Sequence, residues 1–221
     1  MFTKKVGKTI ELRIWEGGPF VAHQYGPNYI KALAQLAKEA FPQDSPEEVV
    51  NNDFLGHEWH TSLWTGDCLI GAASRQIREI PWNGINIKLL YFCTAAIFKK
   101  WQGQGMSYHF YGPIFDQIQP DLVATTTKVA AIYFQMLKLS QDMGLILSHS
   151  RDGKIQPSFF KLGKGVLKET GRNPEQLDNT LVRRNYLPES SSEVSRFELF
   201  GILNVKPEDG VLLLATRLKI K

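Results

Sequence analysis

Apolar and polar residues alternate over 9–15, where Ile10, Leu12 and Ile14 share one side and Glu11 and Arg13 take the other. Period two of this kind predicts a half-buried strand. The period then lengthens. Ile30, Leu33, Ala34, Ala37 and Phe41 recur at helical spacing after Asn28, and Pro42 stops the run. Ser45, Pro46, Glu47 and Glu48 form a capping box with proline at the first helical position, so a second short helix starts there. Residues 57–65 and 68–80 read as strands joined by a tight Thr-Gly-Asp turn. Asn83-Gly84 is a hairpin signal, and the apolar run from Ile85 to Phe98 is the strand that leaves it.

Further along, Met106–Ile118 has a helical pattern with Pro113 inside it. A proline in a helix interior costs roughly 3 kcal/mol, so this helix either kinks or is short and restarts at Pro113. Leu122–Thr125 is a short strand. A helix from Lys128 would carry Val129, Ile132, Tyr133 and Met136 on one stripe. Residues 145–149 suit another strand. The glycines of Lys161–Gly165 break regularity, Asn173–Gln176 starts a helix, and 187–193 is a loop. Two apolar runs, 196–205 and 211–220, flank Pro207-Glu-Asp-Gly210 and predict a closing β-hairpin. The order β-α-α-β-β-β-α-β-α plus hairpin is α+β: a mixed central sheet flanked by helices. Residues 1–221 are expected to form one domain, with 150–195 an insertion before the hairpin.

Composition narrows the class without naming a function. The hydrophobic fraction is 43% and the charged fraction 22%, ordinary values for a globular protein. The formal charge of +4 would help attract an anionic cofactor, but no block of five or six basic residues argues for nucleic acid. Lys99, Lys100 and Lys128 are expected to be solvated. Two cysteines, Cys68 and Cys93, are no disulfide framework and no CxxC pair, so they are expected as buried free thiols. His57 and His60 would splay to opposite faces of a strand, which argues against metal. With no signal pattern and no apolar run of membrane length, the expectation is a cytoplasmic protein without a membrane span.

The most informative chemistry lies where the strand ending at Ala95-Ala-Ile-Phe98 enters Lys99-Lys-Trp-Gln-Gly-Gln-Gly-Met-Ser107. A strand, a basic Gly-rich turn and a helical pattern gather several backbone N–H groups in one concave stretch, which suits a phosphate or pyrophosphate. The spacing Gln102, Gly105, Ser107 resembles motif A of the GNAT superfamily of acyl-CoA-dependent N-acyltransferases, [QR]-x-x-G-x-[GA], with Ser107 standing in for Gly or Ala. Leu69-Ile-Gly71 is similar to the L-x-G strand that precedes this motif. The stretch Ala124–Tyr133 resembles motif B, with Thr126 where the family has Asn.

That resemblance implies a GNAT-like fold and acetyl-CoA, or another acyl-CoA, as co-substrate. It implies that backbone groups at Ile97 and Phe98 meet the thioester, and that the amides of Gln102, Gly103, Gln104, Gly105, Met106 and Ser107 hold the pyrophosphate. Thr126 would line the cofactor, and Tyr133 would protonate the leaving thiolate. Relatives carry a base on the strand before the motif, yet 87–98 has no Asp or Glu. Glu79, on the preceding strand, is the replacement candidate, with His57, His60 and His109 as further options. The acceptor would be an amine of a small molecule or protein, with no metal, nucleic acid or membrane involved and a homodimer left open. The missing strand carboxylate keeps a second reading in view: a GNAT-fold module that binds an acyl-CoA or another ligand without turnover.

Overall fold

The computed structural model describes residues 2–5, 9–16, 26–42, 44–185 and 197–218. In chain order the elements are β1 (Phe2–Lys5), β2 (Ile10–Glu16), α1 (Pro27–Ala40), α2 (Pro46–Glu48), β3 (Trp59–Thr65), β4 (Cys68–Trp82), β5 (Ile85–Ile97), α3 (Gly112–Ile118), β6 (Leu122–Thr127), α4 (Ala130–Met143), β7 (Ile146–Leu147), α5 (Pro157–Glu169), β8 (Val182–Arg183), α6 (Glu198–Ile202) and β9 (Gly210–Thr216). The strands are hydrogen-bonded in the order β1-β2-β3-β4-β5-β6-β9-β7, with β8 also on β9. This is the α+β mixed sheet expected from the order of elements. The chain divides into two compact units: Met1–Ile77 with Phe92–Gln119, and Arg78–Tyr91 with Pro120–Lys221.

In the first unit β1 to β4 form an antiparallel meander, with Leu12 opposite Leu63 and Thr61 opposite Ala73. α1 covers one face because Tyr29, Leu33, Leu36 and Ala37 form its apolar stripe. They pack with Trp15, Trp64, Leu69 and Ala72, and with Val49, Val50 and Phe54 of the π-helical turn that continues α2. Burying Leu33 and Leu36 completely contributes about 1.5–3 kcal/mol each. The capping box is made: Ser45 Oγ accepts from Glu48 N.

In the second unit β5 and β6 run parallel. Asp121 N donates to Lys88 O at 2.9 Å, and further along both strands Tyr91 Oη lies 2.9 Å from Thr126 Oγ1. β6 pairs antiparallel with β9 from Leu122↔Thr216 to Thr127↔Val211. Every residue of β9 is buried. Arg184 knots the segment before the last strand, donating to Asp178 Oδ2 at 2.8 Å and to Asp209 Oδ2 at 2.7 Å. Both carboxylates also accept backbone amides.

Four sequence expectations need correction. The closing hairpin is absent: within 197–205 the chain forms the helix α6, with Leu199, Phe200 and Leu203 buried at helical spacing, and β9 pairs instead with β6, β7 and β8. The glycines of 161–165 lie inside α5. They serve close packing, since a Cβ at Gly163 would stand 2.9 Å from Leu177 and Leu181 side chains. Over 106–118, by contrast, the second of the two expected alternatives holds: a five-residue 3₁₀ turn, Met106–Phe110, comes first, and the helix restarts as α3 with Pro113 in its first turn. Finally, Cys68 is exposed, and Lys128 is buried with Nζ donating to Pro207 O at 2.7 Å, because α4 starts only at Ala130 and leaves Val129 outside it. The expected loop over 187–193 lies outside the described residues.

If Gly163 is a contact glycine, Gly163→Val should destabilise the protein by about 1–3 kcal/mol through overpacking, despite better helix propensity. Urea unfolding checks this, and an unchanged or raised midpoint would return Gly163 to a neutral helix position.

Candidate functional site

The turn that follows β5 belongs to the first unit. Its first part is a 3₁₀ turn, Lys99–Trp101, and Gln102 N closes it on Lys99 O at 3.1 Å. Gly103 and Gly105 then take left-handed conformations, φ 75° and 72°. Nothing lies within 4 Å of a Cβ placed at either. Backbone conformation, then, is what selects glycine here. Residues 102–105 are exposed, and among the described residues no backbone acceptor faces the amides of Gly103, Gln104, Gly105 or Met106. Unspent amides in an exposed turn with alternating backbone hand are the donor set of an anion nest. The segment behind them is a 3₁₀ turn, so the helix-dipole contribution expected from a long helix at Met106 is small.

Two side chains hold this turn. Gln102 Nε2 donates to Ile97 O at 2.8 Å, which ties the turn to the end of β5. Phe98 N donates to Ile70 O at 3.0 Å, so that amide is spent on β4. At the far end Arg75, from β4, donates through one terminal nitrogen to Phe110 O at 2.6 Å and through the other to Thr61 Oγ1 at 2.8 Å. Its guanidinium lies 5.2 Å from the Phe92 ring centre, and Phe92 meets Tyr111 edge-on. Arg75 is fully buried. Burial pushes it down to about 9, which leaves it charged at neutral pH. Sequence reasoning passed over this residue. The available signal was a lone arginine at the end of the small and apolar run Leu69–Ser74.

The remaining candidates belong to the second unit, each with its own partners. Thr126 bonds Tyr91, whose ring has the Arg172 guanidinium 4.1 Å from its centre. Tyr133 is buried on α4, and its hydroxyl points to His149 O at 3.5 Å. Burial raises the Tyr133 pKa while Arg151 opposes the rise, so the phenol keeps its proton at neutral pH. Glu79 is exposed near the turn end of β4 and takes a 3.4 Å contact from Asn86 Nδ2.

The histidines divide by environment. His60 is buried in the first unit among Trp15, Tyr29 and Phe54, with Nδ1 donating to Phe54 O at 3.1 Å and Nε2 accepting from Tyr29 Oη. Burial pushes it down to about 3. His149 is buried in the second unit. Its Nε2 donates to Thr180 O at 3.1 Å and its Nδ1 takes Ser148 Oγ, and burial pushes it down to about 4. His57 and His109 are half-buried, and burial lowers His109 too. Among the described residues no three His, Cys, Asp or Glu side chains gather as a metal site would, and no helix is long and apolar enough to cross a membrane.

No protein-family model matches the chain, and no curated protein matches it. Among solved structures it is similar to Naa50 of Arabidopsis thaliana in complex with the bisubstrate analogue CoA-Ac-MVNAL, at 12% identity over 93% of this chain and 97% of that one, TM-score 0.48. It is also similar to the ribosomal-protein-S18-alanine N-acetyltransferase of Escherichia coli, at 11% identity over 92% of each chain, TM-score 0.46. A third likeness is to a protein of Enterococcus faecalis V583 described as a probable N-acyltransferase, at 14% identity over 57% of this chain, TM-score 0.41. The chain spans 31% of that protein's length.

The two buried imidazoles make a pH prediction. Both have folded-state values below the ordinary 6.5. The folded protein therefore refuses protons that the unfolded chain accepts. Their stabilisation is complete above pH 6.5 and is lost as pH falls, toward 4 for His149 and toward 3 for His60, by about 2 kcal/mol per ring at pH 5. Imidazole NMR signals of His60 and His149 should stay neutral from pH 8 to 5, while unfolding free energy falls over the same range. A ring that titrates near 6.5 in the folded protein would contradict the assignment.

Proposed function

We propose that the protein is an acyl-CoA-dependent N-acyltransferase of the GNAT kind, moving an acetyl group from acetyl-CoA to a primary amine. One observation carries this reading: the exposed turn after β5, with left-handed Gly103 and Gly105 and unspent amides from Gly103 to Met106, in a sequence that resembles motif A. These residues fit a pyrophosphate because their amides have no backbone acceptor, residues 103–105 are exposed, and no side chain at 103 or 105 crowds the approach. Ser107 extends the set. Ile97 and Phe98 supply the strand end at which the thioester would be met. With Phe98 N bonded to Ile70, the Phe98 amide must exchange that partner to reach a carbonyl oxygen.

In the reaction the neutral amine nitrogen attacks the thioester carbonyl carbon, the C–S bond breaks, and the departing sulfur takes a proton. Tyr133, which holds its proton at neutral pH, is the proposed donor of that proton. To serve, its hydroxyl must leave His149 O, a weak partner at 3.5 Å. Glu79 is the proposed base that takes the proton the attacking nitrogen loses as the amide forms, and Thr126 the proposed cofactor-lining residue of the second unit. Acceptor identity, small molecule or protein amine, follows from neither.

Three observations favour the second reading, a module that binds acyl-CoA without turnover: no carboxylate between Ile87 and Phe98, the Tyr133 hydroxyl already engaged, and Glu79 in solvent beside Asn86. Release of CoA from acetyl-CoA in the presence of a broad amine panel separates the two. Tight cofactor binding with no release would leave the binding module.

Two substitutions test the parts. Gly105→Glu places bulk and negative charge at the turn and strains a left-handed position, so CoA binding measured by calorimetry should be abolished in a folded variant. Unchanged affinity would move the phosphate site elsewhere. Tyr133→Phe should lower turnover roughly 10²–10⁴-fold with CoA affinity and melting temperature nearly intact, and a fully active variant would make Tyr133 a core aromatic only.

A further inference from the structure

A fully buried guanidinium normally has a carboxylate beside it, because removing a charge from water costs several kcal/mol. Among the described residues Arg75 has none. Its two terminal nitrogens go to neutral oxygens, Thr61 Oγ1 and Phe110 O, and its buried Nε bonds nothing. Packing cannot explain the choice, since a methionine would fill much of the same volume without a buried charge. What Arg75 does, that an apolar residue could not, is hold a carbonyl. Phe110 is the last residue of the 3₁₀ turn Met106–Phe110, which Tyr111 N closes on Tyr108 O, so its own carbonyl belongs to the helix-end set left without a partner inside the turn. A cation at such an end is also favoured by the direction of the peptide dipoles.

We propose that Arg75 is a positioning residue for the turn after β5: it fixes the far end of the turn through Phe110 O as Gln102 fixes the near end through Ile97 O, and the amides of 103–106 between the two ties are thereby preformed for a pyrophosphate-type anion. The ligand in this statement rests on the acyl-CoA reading above; the tie itself does not. Arg75 reaches the turn from β4 while its other arm is braced on Thr61 of β3 and its plane lies against Phe92 of β5. Three strands therefore set the position of one carbonyl. The forked side chain is needed for this, because a lysine cannot serve both oxygens with the same planar geometry.

The test compares wild type, Arg75→Met and Arg75→Lys by amide hydrogen exchange and by calorimetric titration with CoA. The Met variant should exchange faster in peptides covering 98–111, while peptides from α1 and from β6 and β9 keep wild-type rates. Its CoA affinity should fall by about 10–100-fold, the range for a lost charge-assisted hydrogen bond. Its apparent KM for acetyl-CoA should rise by a larger factor than kcat falls. The Lys variant should lie between the two in exchange and in affinity. Wild-type exchange over 98–111 in a folded Met variant overturns the proposal. Should the Met variant not fold, wild-type exchange over 98–111 in the Lys variant does so. Wild type that fails to bind CoA overturns the acyl-CoA reading instead, and the exchange comparison still decides the tie.

Discussion

The candidate site rests on a close approach of two backbones. Gly71 of β4 faces the end of β5 so nearly that a Cβ would stand 2.4 Å from Ala96 O. No side chain can occupy that space. Because it is empty, β5 can run against β4 to its last residue, and Phe98 N can reach Ile70 O. The chain leaves the sheet at a defined point, and the Gly-rich turn starts from a fixed base instead of a frayed strand end. Everything argued for the turn, its unspent amides and the ties at both ends, depends on that starting point.

The second unit solves a different problem. Between α5 and β9 the described residues 170–185 and 203–209 hold only short elements, and polar groups do the holding. Asp178 collects the Thr180 and Val182 amides and the Arg184 guanidinium; Asp209 collects Asn185 N, Lys206 N and the same arginine. The hydrogen bonds to both carboxylates outweigh the burial that opposes them, and their pKa values drop. His149 joins in from the other side through Thr180 O. The backbone donors of these loops thereby have partners, as buried amides require. α5 adds apolar cover, using Gly163 to come close to Leu177, Leu181 and Leu212.

How far the sequence revealed this follows from the range of each interaction. β2 to β5 and α1 were legible because alternation, helical spacing, Asn83-Gly84 and Pro42 are local signals. Ser45–Glu48 was legible for the same reason. The run 197–205 was not, since a short apolar stretch fits strand and helix alike; only the partners of Leu199, Phe200 and Leu203 decide. Gly163 reads as a helix breaker until the leucines it meets are known. Within the candidate site, Gly103 and Gly105 announced themselves by type and spacing. Arg75 did not, because its partners Thr61 and Phe110 lie 14 and 35 residues away. Lys128 looked like surface for the same reason, its acceptor being 79 residues downstream.

The placement of β9 has a consequence for how the chain is made. β6 needs β9 along its whole length, yet Asp121 and Thr216 are 95 residues apart. A ribosome adding 5–20 residues per second takes roughly 5–20 s to cover that gap. During this interval a β6 formed early would show an open hydrogen-bonding edge, with Val123 and Ala124 awaiting neighbours that do not yet exist. An unpaired apolar edge is the feature most prone to join the wrong chain. The longer synthesis takes to cross the gap between β6 and β9, the longer that edge stands open.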